Sequence, residues 1–131
     1  MNLSTRTLAV FIDRPFAVVA AYLAVPPNFP AWASGLASGL KAEGGAWIGQ
    51  APQGRIVVRF SPPNDFGVAD HWVSLPDGQE VYVPLRALAH GEGCEVILTL
   101  FRLPAMSDAD FARDAEWVAK DLARLKAVLE G

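Results

Sequence analysis

The end of this chain constrains its fold more than any other part. From about Ser107 to Glu130 the residues Phe111, Ala115, Val118, Leu122, Leu125 and Leu129 recur at alternating spacings of four and three, which places them on one stripe of a single amphipathic helix. The long stretch ahead of it reads as strands and turns. An antiparallel sheet with one apolar face needs a cover for that face, and one long helix can supply it while leaving a gap between the two layers. A gap of that kind is a pocket, so a container for a small ligand is the first expectation.

A length of 131 residues suits one domain, 1–131, able to bury roughly two thirds of the surface its unfolded chain would expose. Apolar residues make up 52% and charged residues 19%, an apolar surplus that must line a cavity or meet another subunit. The net charge of −3 and the scattered basic residues argue against a nucleic-acid surface. Met1 to Val10 holds no long apolar run after positive charge, and no segment approaches the roughly 20 apolar residues of a membrane span. A cytoplasmic protein is the expectation. A lone cysteine, Cys94, cannot form an internal disulfide, which agrees with a reducing compartment. Asn2-Leu3-Ser4 matches a glycosylation triplet, which carries little weight without an export signal.

Thr5 to Ile12 is rich in β-branched and aromatic residues and reads as a strand. Asp13 and Pro15 then suit a helix start, with Phe16, Val19, Ala20 and Leu23 on one face, and Val25-Pro26-Pro27 stops that helix. Asn28 to Leu36 suits a short irregular turn. Turn chemistry at Glu43-Gly44-Gly45, Ala51-Pro52-Gln53-Gly54, Ser61-Pro62-Pro63-Asn64-Asp65, Pro76-Asp77-Gly78 and His90-Gly91-Glu92-Gly93 separates six strands, near 38–43, 46–50, 54–61, 66–75, 79–89 and 94–103. Asp77-Gly78 is the best hairpin signal. Ser107-Asp108-Ala109-Asp110 offers the last helix an N-cap and acids suited to its positive end.

The order strand, helix, six strands, long helix resembles the helix-grip fold of the START-like, Bet v 1-like superfamily, often described as polyketide cyclase/dehydrase or lipid-transport proteins. The residues that carry the resemblance are Ile12-Asp13-Arg14-Pro15-Phe16-Ala17-Val18-Val19, Trp32 in Pro30-Ala31-Trp32, the Gly44-Gly45 turn and Gly93-Cys94-Glu95-Val96. Within the superfamily the chain looks most similar to small bacterial members of unassigned function, with Phe66-Gly67-Val68-Ala69-Asp70-His71-Trp72 and Pro84-Leu85-Arg86 as subgroup signatures. The resemblance implies an α+β architecture: a curved antiparallel sheet of about seven strands wrapped around a long C-terminal helix, with a short helical segment between the first two strands. Such folds bind hydrophobic ligands, cyclise polyketides or assist chaperones, so the fold alone does not choose an activity.

Strand parity sorts side chains between the two faces of the sheet. If Asp77-Gly78 and Gly91-Glu92 are two-residue turns, Asp70, Trp72, Val83, Leu85, Ala87, Cys94, Val96, Leu98, Leu100 and Arg102 share a concave face beneath the helix. His71, Val73, Tyr82, Pro84, Arg86, Ile97, Thr99 and Phe101 share the other, which is apolar enough to suggest weak self-association or a homodimer. Pairing Phe60 with Gly67 brings Arg59 to the concave side beside Asp70. That pair is either a charged anchor for a polar ligand group or a buried ion pair fastening two strands, and the second is favoured because buried charges require partners.

His71, next to Asp70 in sequence, falls on the opposite face, which argues against an Asp-His relay. His90 lies in a glycine turn. Two histidines and one cysteine on separate elements show no metal-ligand spacing, so neither a metal nor a cofactor is expected. Trp32, Trp47, Trp72 and Trp117, with seven phenylalanines, either fill a core or wall an aromatic-friendly cavity, and Trp117 flanks the helix stripe as a rim residue would. The expected ligand contacts are Trp32, Arg59, Asp70, Trp72, Leu85, Leu98 and Trp117. The primary reading is binding of a small hydrophobic or aromatic molecule. A cyclase/dehydrase-like enzyme using Asp70 or Arg59 in proton transfer, and a chaperone-activator-like interaction module, are the alternatives.

Overall fold

A computed structural model describes residues 4–131. Asn2 of the glycosylation triplet lies outside the described residues. The chain runs through β1 (Thr5–Ile12), α1 (Phe16–Leu23), two 3-10 turns (Pro26–Ala31 and Ser34–Leu36), β2 (Lys41–Glu43), β3 (Ala46–Ala51), β4 (Gly54–Phe60), β5 (His71–Ser74), β6 (Glu80–Val83), β7 (Leu85–His90), β8 (Gly93–Phe101) and α2 (Asp108–Glu130). All strand pairs are antiparallel, in one sheet ordered β1-β8-β7 and a second ordered β2-β3-β4-β5-β6. Among the described residues no helix is long and apolar enough to cross a membrane.

The expected strand over 79–89 is two strands, β6 and β7, parted at Pro84. The register that pairs Trp72 with Tyr82 and His71 with Val83 continues past the break, where Val68 bridges Arg86. That register sets Pro84 opposite Asp70, and proline has no N–H to give the ladder. Ala69 N–H still donates to the Leu85 carbonyl at 2.8 Å, but Leu85 N–H donates to Asp70 Oδ1 at 2.9 Å rather than across the strands. The Ala69 carbonyl, relieved of that partner, takes His71 Nδ1 at 3.1 Å. Two adjacent side chains thus replace one ladder hydrogen bond at the point where the chain passes from one sheet to the other.

Turn length decides which way those side chains point. Leu75 N–H donates to Gln79 O at 2.8 Å and Gly78 N–H to Leu75 O at 3.0 Å, closing a loop over Pro76-Asp77-Gly78 with Gly78 at φ 89°. A two-residue Asp77-Gly78 turn would set Leu75 opposite Glu80; instead Ser74 stands opposite Glu80. A slip of one residue reverses every side chain of a strand. His71 and Val73 therefore face inward, while Asp70 and Trp72 face outward. The second hairpin has the expected register, with Ala89 opposite Cys94 and Gly91 at φ 60°, so Leu85, Ala87, Cys94, Val96 and Leu98 are buried in the core.

Helix α2 begins at a capping box: Asp110 N–H donates to Ser107 Oγ at 3.1 Å and Ser107 N–H to Asp110 Oδ2 at 3.3 Å. Its far end is tied to the start of the chain by Lys126 Nζ to Phe11 O and Asp13 N–H to Glu130 Oε2, both 2.7 Å. Leu122, Leu125 and Leu129 are buried along its C-terminal half, whereas Trp117 in its N-terminal half is 52% exposed. The helix is docked at one end and stands over open space at the other.

Candidate functional site

That open space is a cavity of about 750 Å³. The 3-10 turns contribute Phe29 and Leu36 and the link between them Trp32 and Ala33, the two sheets contribute Ile56, His71, Val73, Leu98 and Leu100, and α2 contributes Trp117, Val118 and Asp121. Each layer reaches the cavity for a local reason. The prolines of Pro26-Pro27-Asn28-Phe29-Pro30 cannot continue α1, and the resulting 3-10 turn presses Phe29 fully into the interior. On α2, Asp114, Trp117 and Asp121 follow one another at three and four residues along the edge of the leucine stripe, so they line the mouth rather than the floor. A smaller pocket of about 300 Å³ lies between α1 and the loop over 61–69.

Of the polar residues on this mostly apolar wall, which include Gln53, Arg113 and Asp114, two are buried, His71 and Asp121. His71 is 7% exposed, with Phe29 edge-on at 5.3 Å between ring centroids and Phe60 tilted at 5.4 Å. Burial pushes its pKa below the ordinary histidine value, against weaker opposing pulls from the Ala69 carbonyl and the neighbouring Asp70 carboxylate. The ring is therefore neutral at pH 7. A carbonyl oxygen can only accept, so Nδ1 carries the proton and Nε2 is left as a bare acceptor. Asp121 is the second group: its Oδ1 accepts from Ser34 Oγ at 2.7 Å and from Arg124 at 3.3 Å, and Arg124 also donates to the Trp32 carbonyl at 3.2 Å. The indole N–H of Trp32 is buried with no partner among the described residues.

The sequence-derived contacts divide between the two faces. Trp32, Leu98 and Trp117 lie on the cavity wall. Leu85 is buried in the core away from it. Asp70, Trp72 and Arg59 are on the outer face, because the three-residue loop over 76–78 reverses the strand that carries Asp70 and Trp72, and Arg59 pairs with Trp72. Nor do Arg59 and Asp70 pair with each other. Arg59 meets Glu80 at 3.5 Å with both side chains about half exposed, whereas Asp70 accepts from Arg86 at 2.9 Å, Tyr82 at 2.7 Å and the Leu85 amide. Burial pushes the Asp70 carboxyl up, but the hydrogen bonds from Arg86, Tyr82 and Leu85 outweigh it and hold its pKa below the ordinary value.

Among the cavity residues that sequence reasoning missed are its two buried polar ones, His71, which strand parity puts on the other face, and Asp121. Signals for both were present. Pro-Asp-Gly is the pattern of a type I turn with proline second and glycine fourth, which implies the longer loop and turns His71 inward. The spacing of Asp114, Trp117 and Asp121 marks a polar edge beside the helix stripe. Among the described residues no three His, Cys, Asp or Glu side chains converge where they could hold a metal ion.

No protein-family model matches the chain, and no curated protein matches it in sequence. Solved structures do match its shape. A protein of the dynemicin biosynthetic locus superposes with a TM-score of 0.74 at 15% identity, over 96% of this chain and 47% of that one, so the chain spans about half that protein's length. The Aha1 dimer of Colwellia psychrerythraea gives 0.72 at 12% identity over 98% and 97% of the two chains. A START superfamily protein of Mycobacterium smegmatis gives 0.71 at 10% identity over 96% and 97%. At these identities the likeness is one of fold, and it agrees with the antiparallel strands, the capped C-terminal helix and the space between them: the chain has the helix-grip fold of the START-like, Bet v 1-like proteins.

Proposed function

We propose that the protein binds a small, largely apolar molecule between its sheet and α2. One observation carries this reading, the cavity of about 750 Å³ walled chiefly by aromatic and aliphatic side chains. Its size falls within the roughly 300–1,000 Å³ of small-molecule sites, which combine apolar walls with a few orienting polar groups. Apolar surface facing water in a groove is unfavourable, and an apolar occupant relieves it.

Binding is favoured over proton-transfer catalysis because Asp70 and Arg59, the residues suited to such chemistry in sequence, stand outside the cavity, while the imidazole inside it is backed by a carbonyl rather than by a carboxylate that would stabilise an imidazolium. An NMR titration with 2-methoxynaphthalene tests the reading. The indole N–H signal of Trp117 should move on addition of the probe while that of Trp72, on the outer face, stays in place. Val73→Trp, which fills the cavity from β5, should abolish the movement. A Trp117 signal indifferent to the probe up to its solubility would refute cavity binding.

A second reading concerns the outer face, for which we propose weak self-association. There Trp72 stacks on Tyr82 at 5.2 Å and Tyr82 on Phe101 at 5.9 Å, with Tyr82 and Phe101 exposed. Stacked aromatic rings open to solvent are the type of surface that contacts between subunits recruit.

A further inference from the structure

We infer that the occupant of the cavity carries a hydroxyl or N–H donor on a flat apolar frame, a phenol or naphthol in chemical class, and that His71 Nε2 accepts a hydrogen bond from it. The inference rests on the cavity-binding reading and adds the chemistry of the bound group. His71 is more than nine-tenths buried and borders the cavity. Its Nδ1 is committed to the Ala69 carbonyl, and Nε2 has no partner among the described residues. Nor is Nε2 sealed in the core, because among the described residues the side-chain polar atom that is both fully enclosed and unpartnered is Trp32 Nε1. With Phe29 and Phe60 against its ring, the cavity is where Nε2 has its opening.

A purely apolar occupant would strip water from this acceptor and offer nothing in return, which selects for a ligand that donates. Charge narrows the class further. Asp114 and Asp121 both line the cavity, and the one cationic side chain among its described lining residues, Arg113, is solvent-exposed and shared with Asp110 at 3.1 Å, so the acidic wall suits a neutral ligand better than an anionic one. A neutral donor is what remains. Asp121 is the competing acceptor, since Ser34 and Arg124 share its Oδ1 but not its Oδ2; His71 differs in standing on the sheet wall between Phe29 and Phe60, and Asp121→Asn is the control that separates the two.

The test compares 2-naphthol, which donates, with 2-methoxynaphthalene, which does not, by NMR titration of the full chain. In the native protein the naphthol should bind about tenfold more tightly, equivalent to about 1.4 kcal/mol. It should also shift the His71 Nε2 nitrogen signal, while the ether leaves that signal unmoved. In His71→Phe the naphthol should lose its advantage and the ether should keep its affinity within about twofold. Equal binding of the two probes to the native protein, or a preference that survives His71→Phe and disappears in Asp121→Asn, would overturn the assignment to His71 with cavity binding intact. If neither probe moves the Trp117 signal, the cavity-binding reading itself fails. Should His71→Phe not fold, the affinity ratio and the nitrogen shift in the native protein decide the matter.

Discussion

Asp70 and His71 are neighbours in the chain, both buried, and opposite in what surrounds them. On the outer face the Asp70 carboxylate is saturated: Oδ1 holds the Leu85 amide and Arg86 Nε, and Oδ2 holds the Tyr82 hydroxyl and the Arg86 guanidinium. On the inner face His71 spends one ring nitrogen on a backbone carbonyl and keeps the other free beside the cavity. A buried polar group whose bonding capacity is filled by its own chain fastens structure, while one with capacity left over beside a cavity is available to a ligand. Asp70 thus serves the fold, and His71 is the group that the proposed binding site would use.

The largest effect should come from neither. Leu122 on α2 is 2% exposed at the docked end of the helix, and Leu122→Ala should destabilise by about 2–5 kcal/mol in chemical denaturation. If Trp117→Ala, at the open end, cost as much, the division of α2 into a docked half and a cavity half would be wrong.

Asp70→Asn comes next. It keeps the shape, removes the charge and replaces one acceptor with a donor facing Tyr82 or Arg86, so denaturation should show a loss of about 1–3 kcal/mol. The upper range for a severed buried ion pair does not apply, because the Arg86 side chain is 46% exposed and can hydrate. Binding of 2-methoxynaphthalene should be unchanged in the folded variant. A variant that kept its stability and lost binding would reverse the roles given to the two neighbours.

How much of this could be read from sequence depended on the length of single turns. The stripe of α2 and its cap were legible because six apolar positions and a capping serine agree with one another over a long segment. The β7-β8 hairpin was legible because Gly91-Glu92 fits a two-residue turn and either neighbouring register would expose Cys94, Val96 and Leu98. The strand of Asp70 and Trp72 was not, because one proline ahead of Asp77-Gly78 lengthens the loop, and the alternation of 70–75 has apolar residues on both parities. The break at Pro84 was hidden for a different reason: it is sustained by a carboxylate fourteen residues upstream, a partner that periodicity within one strand cannot reveal.

The two neighbours should also separate in their pH windows. His71 has a folded pKa below its unfolded value of about 6.5, so the unfolded chain takes up the proton first as pH falls. Its stabilisation is complete above about pH 6.5 and is lost below it, at up to about 1.4 kcal/mol per pH unit. Asp70 also has a lowered folded pKa, so its contribution persists down to the unfolded carboxylate value of about 3.9 and fades below that. Asp110 and Glu130 share this second window, their carboxylates held down chiefly by the Ser107 and Asp13 amides. Denaturant midpoints measured against pH should therefore lose the upper limb in His71→Phe and keep a reduced lower limb in Asp70→Asn. An upper limb unchanged in His71→Phe would mean that another group supplies it.

The smallest effect on the monomer should come from Phe101, and it bears on what the outer face does beyond holding Asp70. Phe101 is 40% exposed at the edge of the Trp72-Tyr82-Phe101 stack, so Phe101→Ser should change stability by no more than about 0.5 kcal/mol. The stack is short and is bordered by the charged pairs Arg86–Asp70 and Arg59–Glu80, a mixture of aromatic centre and polar surround that suits a weak, reversible contact. Light scattering over a dilution series should show the native protein gaining mass with concentration and Phe101→Ser remaining monomeric throughout. A native protein that stays monomeric at the highest concentration would leave the stack as a cover for the Asp70 network: its rings would then serve the fold by shielding the Tyr82 and Arg86 hydrogen bonds from water, and the outer face would have no partner to explain.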